Sequence, residues 1–173
     1  IPGWLSTEID SRLLIVIDNS SSMNSYVNGQ TLLEKAREIA KELLELYEQN
    51  TTVSIAQTCP PKILFSGKKS YENKSVVIDQ IKSTQNYDNL WFNVDSLMAT
   101  LNVIEPMREC ILLSDFQTKS DFVDSLSMNW KYYFINVGEV RNNLSINSLD
   151  VVSRIKVPDQ LLKIKTTIHN SNK

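Results

Sequence analysis

Two apolar runs in this chain each stop on an aspartate. Leu13-Leu14-Ile15-Val16-Ile17 is unbroken and ends at Asp18, and Cys110-Ile111-Leu112-Leu113 ends at the polar pair Ser114-Asp115. A strand that is apolar at every residue, rather than at alternate ones, is buried on both faces. That pattern belongs to parallel sheets covered by helices on each side. Ligands of such sheets bind at the carboxyl ends of the strands. The two aspartates therefore stand at the edge where a site is expected.

The remaining elements agree with this. Thr31-Leu32-Leu33-Glu34 is a capping-box signature, and Leu32, Leu33, Ala36, Ile39, Ala40, Leu43 and Tyr47 then recur at helical spacing. Residues 51–58 alternate as a strand, and Ile63-Leu64-Phe65 follows after Pro60-Pro61, so the two are expected to pair as a hairpin. Short amphipathic helices are predicted over 75–81 and 91–104, with Pro106 at or beyond the end of the second. A weak helix is predicted over 121–126, and a strand over 132–137, closed by Gly138. The order β-α-β-β-α-α-β-α-β specifies a layered α/β fold with a mostly parallel sheet. Beyond Gly138, residues 143–152 and 161–169 alternate with period two and no helix between them, as the first strands of a sandwich would.

Composition narrows the function. The chain has 173 residues, enough for one packed domain and a short appendage, with 42% hydrophobic and 22% charged residues. Eighteen basic against 20 acidic residues give a net charge of −2 and no basic stripe, which argues against nucleic acid and against polybasic membrane binding. No apolar run reaches the length needed to cross a bilayer. The chain opens at Ile1-Pro2-Gly3-Trp4 without an initiator Met, so the parent protein is expected to extend on both sides. Its one histidine, His169, lies in the tail, and Cys59 and Cys110 have no partner spacing, which removes zinc fingers and Ser-His-Asp or Cys-His hydrolases within this chain. Cys59 is expected near the carboxyl end of its strand and Cys110 at the amino end of another. Ends of six-residue strands stand about 20 Å apart, beyond disulfide reach, so both thiols are expected free.

The chemistry is concentrated in Asp18-Asn19-Ser20-Ser21-Ser22-Met23. Alternate residues of an extended loop point the same way, so one carboxylate and two hydroxyls can converge. Oxygen-only ligation suits a hard cation, Mg²⁺ or Mn²⁺. The bland alternative is that Asp18 and Ser20 satisfy turn and cap amides.

An apolar strand, Asp-x-Ser-x-Ser and an amphipathic helix resemble the metal-ion-dependent adhesion site of von Willebrand factor A domains. The resemblance implies a Rossmann-like, three-layer α/β domain over 1–140, with a mostly parallel central sheet and one antiparallel edge strand. A short, truncated C-terminal β segment over 141–173 follows. Asp18, Ser20 and Ser22 would be metal ligands, and Asp115 the second carboxylate, usually through water. The family's remaining ligand is a threonine in a Gly-Gly-Thr-x-Leu-like loop. Here the matching stretch is Asn86-Tyr87-Asp88-Asn89-Leu90, which puts Asp88 at that place. An added carboxylate there would bind the ion more tightly but reduce the electrophilicity that captures a partner's acidic residue. Alternatively Asp88 is solvated, or the site is degenerate and empty.

A narrower resemblance rests on Ile17-Asp18-Asn19-Ser20-Ser21-Ser22-Met23, Leu32-Leu33-Glu34-Lys35-Ala36, Leu113-Ser114-Asp115-Phe116-Gln117 and Asn143-Leu144-Ser145-Ile146-Asn147-Ser148. These look like Bacteroides-aerotolerance (Bat) type membrane proteins. In that family two membrane helices precede the A domain and a β-rich region follows it. A basic loop between the helices would face the cytoplasm and put the domain on the periplasmic face of the inner membrane. The implied function is a protein–protein interaction module of an envelope complex, not an enzyme. A metal-free structural scaffold is the alternative. A phosphoryl-transfer enzyme of the haloacid-dehalogenase kind also places Asp after its first strand, but it needs a second Asp two residues on, where this chain has Ser20.

Asn19, Met23 and Trp91 flank the loop and are the candidates for touching a partner, Trp91 together with Phe92. Trp91 at a helix start and Met23 also read as packing residues. Lys68-Lys69 reads as a solvated turn.

Overall fold

The structure is a computed structural model and describes residues 11–69, 74–86, 89–101, 104–117, 129–138, 144–151 and 164–170. The chain divides into two compact units, Ile1–Glu139 and Val140–Lys173.

In the first unit, strands β1 (Ser11–Ile17), β4 (Thr52–Gln57), β5 (Lys62–Lys68), β6 (Met107–Ser114) and β7 (Lys131–Asn136) form one sheet in the order β5-β4-β1-β6-β7. Only β5 is antiparallel to its neighbour. A two-stranded hairpin, β2 (Tyr26–Val27) and β3 (Gln30–Thr31), leads into α1 (Leu32–Leu46). Helices α2 (Lys74–Gln80) and α3 (Leu90–Thr100) lie between β5 and β6 in the chain.

The unbroken apolar strands do what their composition predicts. Successive side chains of β1 point to opposite faces. Leu13, Ile15 and Ile17 pack with Leu32, Leu33, Ala36, Ala40 and Leu44 of α1 and with Ile78 of α2. Leu14 and Val16 pack on the other face with Leu90, Trp91, Val94, Leu97 and Met98 of α3. Every residue from Leu13 to Ile17 is fully buried. At about 25 cal/mol per Å² of apolar surface, this central strand is among the largest contributors to folding. The result is the three-layer α/β fold with one antiparallel edge strand.

α1 starts as the capping box requires. The Glu34 backbone N–H donates to the Thr31 hydroxyl at 3.1 Å, and the Thr31 N–H donates to the Glu34 carboxylate at 2.7 Å. The bonds from Thr31 hold the Glu34 carboxyl below its ordinary pKa. α3 is shorter than expected. Asn89 caps it by accepting the Phe92 N–H at 3.1 Å, and Leu101, already extended, ends it before Pro106.

Several expectations are corrected. The β2–β3 hairpin lies in what reads as a polar connector, yet Asn28-Gly29 is its signal. Both residues take positive φ, 51° and 90°, as a type I′ turn needs. Lys69 is buried rather than solvated. Its ammonium donates to the carbonyls of Glu45, at 3.3 Å, and Tyr47, at the negative end of α1. Cys110 is the fourth residue of β6 rather than its first, although both cysteines are free as expected, and both are buried. The helix predicted over 121–126 lies outside the described residues.

In the second unit, β8 (Leu144–Val151) and β9 (Ile164–Asn170) pair antiparallel, with a register irregularity between Ile146 and Ser148. Among the described residues, no helix is long and apolar enough to cross a membrane.

Candidate metal centre

Register brings the two aspartates together. β1 and β6 are hydrogen-bonded neighbours with Ile17 opposite Leu113, and the Asp18 N–H donates to the Leu113 carbonyl at 2.9 Å. Asp18 and Asp115 therefore leave the sheet side by side at its carboxyl edge. Parallel pairing across 96 residues of sequence accomplishes this without any help from the loops.

After Asp18 the chain makes a tight turn in which the Ser20 N–H donates to Asp18 Oδ1 at 2.9 Å. A 3-10 turn, Ser21–Asn24, follows. The turn sets the Ser20 and Ser22 hydroxyls 3.2 Å apart, and Ser22 Oγ donates to Asp115 Oδ1 at 3.1 Å. Asp18, Ser20, Ser22 and Asp115 thus form one cluster, as the sequence analysis expects. They line a cavity of about 180 Å³ together with Thr58 and Asn93. Asp88 lies outside the described residues.

Two further hydroxyls join from distant strands. Thr58 Oγ1 donates to Asp18 Oδ1 at 3.1 Å, and Ser114 Oγ donates to Asp18 Oδ2 at 2.5 Å. Asn93 of α3 donates to the Thr58 carbonyl at 3.0 Å and keeps that end of β4 in place. Sequence reasoning assigns no role to Thr58 or Asn93, since nothing local marks a threonine 40 residues from its acceptor. Ser114, next to Asp115 at a strand end, carried a signal that was available.

All three residues named as candidates for touching a partner are buried, Met23 and Trp91 in the packing role that is the other reading of them. Asn19 is 1% exposed, and its side chain is consumed internally. It accepts the Cys59 N–H at 2.7 Å and donates to the carbonyls of Cys59, at 2.7 Å, and Lys82, at 3.0 Å. Asn19 therefore ties the first loop to two others. Met23 is fully buried in the core beneath α1. Trp91 packs face-to-face on Phe116 and edge-on to Phe134, while its neighbour Phe92 is exposed.

The electrostatics favour an added cation. Asp115 is nearly buried, and burial pushes its carboxyl above the ordinary carboxylate range. The nearby charge of Asp18 adds to that, while the Ser22 hydroxyl opposes it. Asp115 Oδ2 is buried with no hydrogen-bond partner among the described residues. No Lys or Arg stands among the described residues lining the cavity. A buried acceptor left unpaired costs about 1–3 kcal/mol, more when charged. The donor set is wholly oxygen, two carboxylates and hydroxyls, and neither here nor elsewhere among the described residues do three or more His, Cys, Asp or Glu come together as a metal-binding group. These residues fit a hard divalent cation.

Comparison with known proteins agrees with the fold. The von Willebrand factor type A domain family matches residues 13–117. A solved structure titled conserved hypothetical protein BatB from Bacteroides thetaiotaomicron is similar, with a TM-score of 0.53 and 16% identity over 61% of this chain. The match takes in 53% of that protein, so this chain spans about half the length of the relative. No curated protein matches. The family match spans the stretch from β1 to the second aspartate, and the chain belongs to the von Willebrand factor type A domain family.

Proposed function

We propose that this domain is a protein–protein interaction module that binds Mg²⁺ or Mn²⁺ at the cluster of Asp18, Ser20, Ser22 and Asp115, as a metal-ion-dependent adhesion site. The observation that carries the reading is Asp115 Oδ2, a buried carboxylate oxygen without a partner among the described residues, in a cavity lined by a second carboxylate and hydroxyls. Held there by Asp115 and the serine hydroxyls, a divalent cation would supply positive charge to that oxygen and attract an acidic side chain of a partner protein. Ser20 and Ser22 present their hydroxyls from the turn that Asp18 braces, and Asp115 supplies the negative oxygen. A von Willebrand A domain is generally an interaction module, which favours binding over catalysis.

The setting we propose is a bacterial envelope complex, with the domain on the periplasmic face of the inner membrane and anchored through other parts of its parent protein. Its support is the resemblance to Bat-type proteins. A second reading, a scaffold with a metal-free site, is favoured by the hydrogen bonds that close Ser20, Ser22 and Asp115 on one another.

The test is isothermal titration of Mg²⁺ and Mn²⁺ into chelator-treated protein, beside the Asp18→Ala variant. Saturable heat that the variant loses supports the cation site. Silence with both ions, and no rise in Tm, overturns it and leaves a scaffold that binds through its surface.

A further inference from the structure

Asp18 and Asp115 are held in opposite ways. Asp115 keeps a buried oxygen without a partner among the described residues, whereas both oxygens of Asp18 are taken. Two of the three donors to Asp18 come from outside its own loop. Thr58 lies just past β4 and Ser114 ends β6, the strands on either side of β1, and each is 1% exposed. Each addresses a different oxygen of the same carboxylate, so together they fix the plane of Asp18 from both flanks.

The hydroxyl protons leave little ambiguity about roles. A hydroxyl carries one proton. Thr58 Oγ1 accepts the Asn19 N–H at 3.3 Å, and its own proton has Asp18 Oδ1 at 3.1 Å and Asn19 Oδ1 at 3.4 Å within reach. The nearer, charged acceptor is the stronger. Ser114 Oγ accepts the Phe116 N–H at 3.1 Å, which directs its proton to Asp18 Oδ2. Oxygens engaged on both sides orient a carboxylate better than they ligate an ion.

We propose that Thr58 and Ser114 are positioning residues of the cation site. They lock Asp18 so that it braces the loop, while Asp115 Oδ2 and the hydroxyls of Ser20 and Ser22 are the oxygens offered to the cation. The inference rests on the cation-binding reading above.

Titrating Mn²⁺ into chelator-treated wild type, Thr58→Val, Thr58→Ser and Ser114→Ala tests it, with thermal unfolding in chelator measured on each. Loss of an outer-shell partner typically weakens metal affinity by about 10–100-fold, which is the loss expected for Thr58→Val and Ser114→Ala. Thr58→Ser restores the hydroxyl and is expected to bind close to wild type. A lower Tm with unchanged Mn²⁺ affinity in both Thr58→Val and Ser114→Ala overturns the inference while the cation site stands. Absence of binding in wild type overturns the cation site itself. Should Thr58→Val fail to fold, Ser114→Ala decides by the same criterion, and an Mn²⁺ affinity equal to wild type in that variant is the overturning result.

Discussion

Gly138 and Asp115 approach so closely that a Cβ placed on Gly138 would lie 2.9 Å from the Asp115 Cβ and 3.2 Å from its Cα. The closeness follows from β7 pairing parallel to β6, with the Val137 N–H donating to the Ser114 carbonyl at 3.0 Å. The chain leaving β7 passes directly over Asp115, the residue that follows β6. Glycine is required there for space, because any side chain meets the backbone that carries the candidate ligand.

Gly138→Ala is accordingly expected to displace Asp115. Overpacking of this kind costs about 1–3 kcal/mol. Urea unfolding should show a loss in that range, and Mn²⁺ titration a weaker site. A variant with wild-type stability and affinity would mean that the β7 exit relaxes without moving Asp115.

At the other end of β1, Arg12 and Glu105 form a two-pronged ion pair. Arg12 Nε and Nη2 each lie 3.1 Å from a Glu105 carboxylate oxygen, with both side chains about nine-tenths buried. Burial by itself would raise the Glu105 carboxyl. The bonds and charge of Arg12 outweigh it and hold the pKa below its ordinary value. A depressed folded-state pKa stabilises above the unfolded value, near pH 4.3, and that stabilisation is lost as pH falls through the folded value. Wild type should therefore lose stability below about pH 4.5, and Glu105→Gln should show a shallower acid slope. At neutral pH the variant is expected to lose about 3–5 kcal/mol, as for a broken buried pair. Equal acid slopes in the two proteins would exclude this pair as the acid-sensitive contact.

The sheet was legible because its evidence is local. Leu13 to Ile17 and Cys110 to Leu113 are apolar at every position, which admits few alternatives, and Thr31 with Glu34 fixes where α1 begins. The clustering of Asp18, Ser20, Ser22 and Asp115 was legible for the same reason, since strand ends and loop spacing place all four. Thr58, Asn93 and Gly138 were not. Their roles depend on which strands become neighbours in space, and β4, β1, β6 and β7 are adjacent only after the crossovers are made. Asn19 misled in a different way. An asparagine inside a ligand loop reads as exposed and available, while its amide is spent on three backbone groups of another loop and a helix end.

That role makes Asn19 a test of loop assembly. Removing its side chain takes the Asn19 acceptor from the Cys59 N–H and the Asn19 donor from the carbonyls of Cys59 and Lys82. Each buried group left without a partner costs about 1–3 kcal/mol. Asn19→Ala is expected to destabilise the protein by about 1–3 kcal/mol. Amide hydrogen exchange at Cys59 should accelerate in step. Slow exchange at Cys59 in a destabilised Asn19→Ala variant would show that the 58–59 turn is held by something else.

The thiols offer the last prediction, because burial and reactivity are tied through the thiolate. Cys110 sits in the middle of β6, 1% exposed, among Leu14, Met98 and Trp130. Burial pushes its thiol up to about 12, so almost no thiolate exists at neutral pH. Cys59 is 4% exposed in the wall of the site cavity. The native protein should thus react slowly with an aromatic disulfide reagent at pH 7.5, and release two equivalents at once in guanidinium. Of the two, Cys59 is expected to react first, since it borders a cavity while Cys110 is enclosed by strand and helix. If Cys110 reacted as fast as Cys59, β6 would have to open locally on the assay's timescale. That would contradict a strand hydrogen-bonded on both edges, to β1 and to β7.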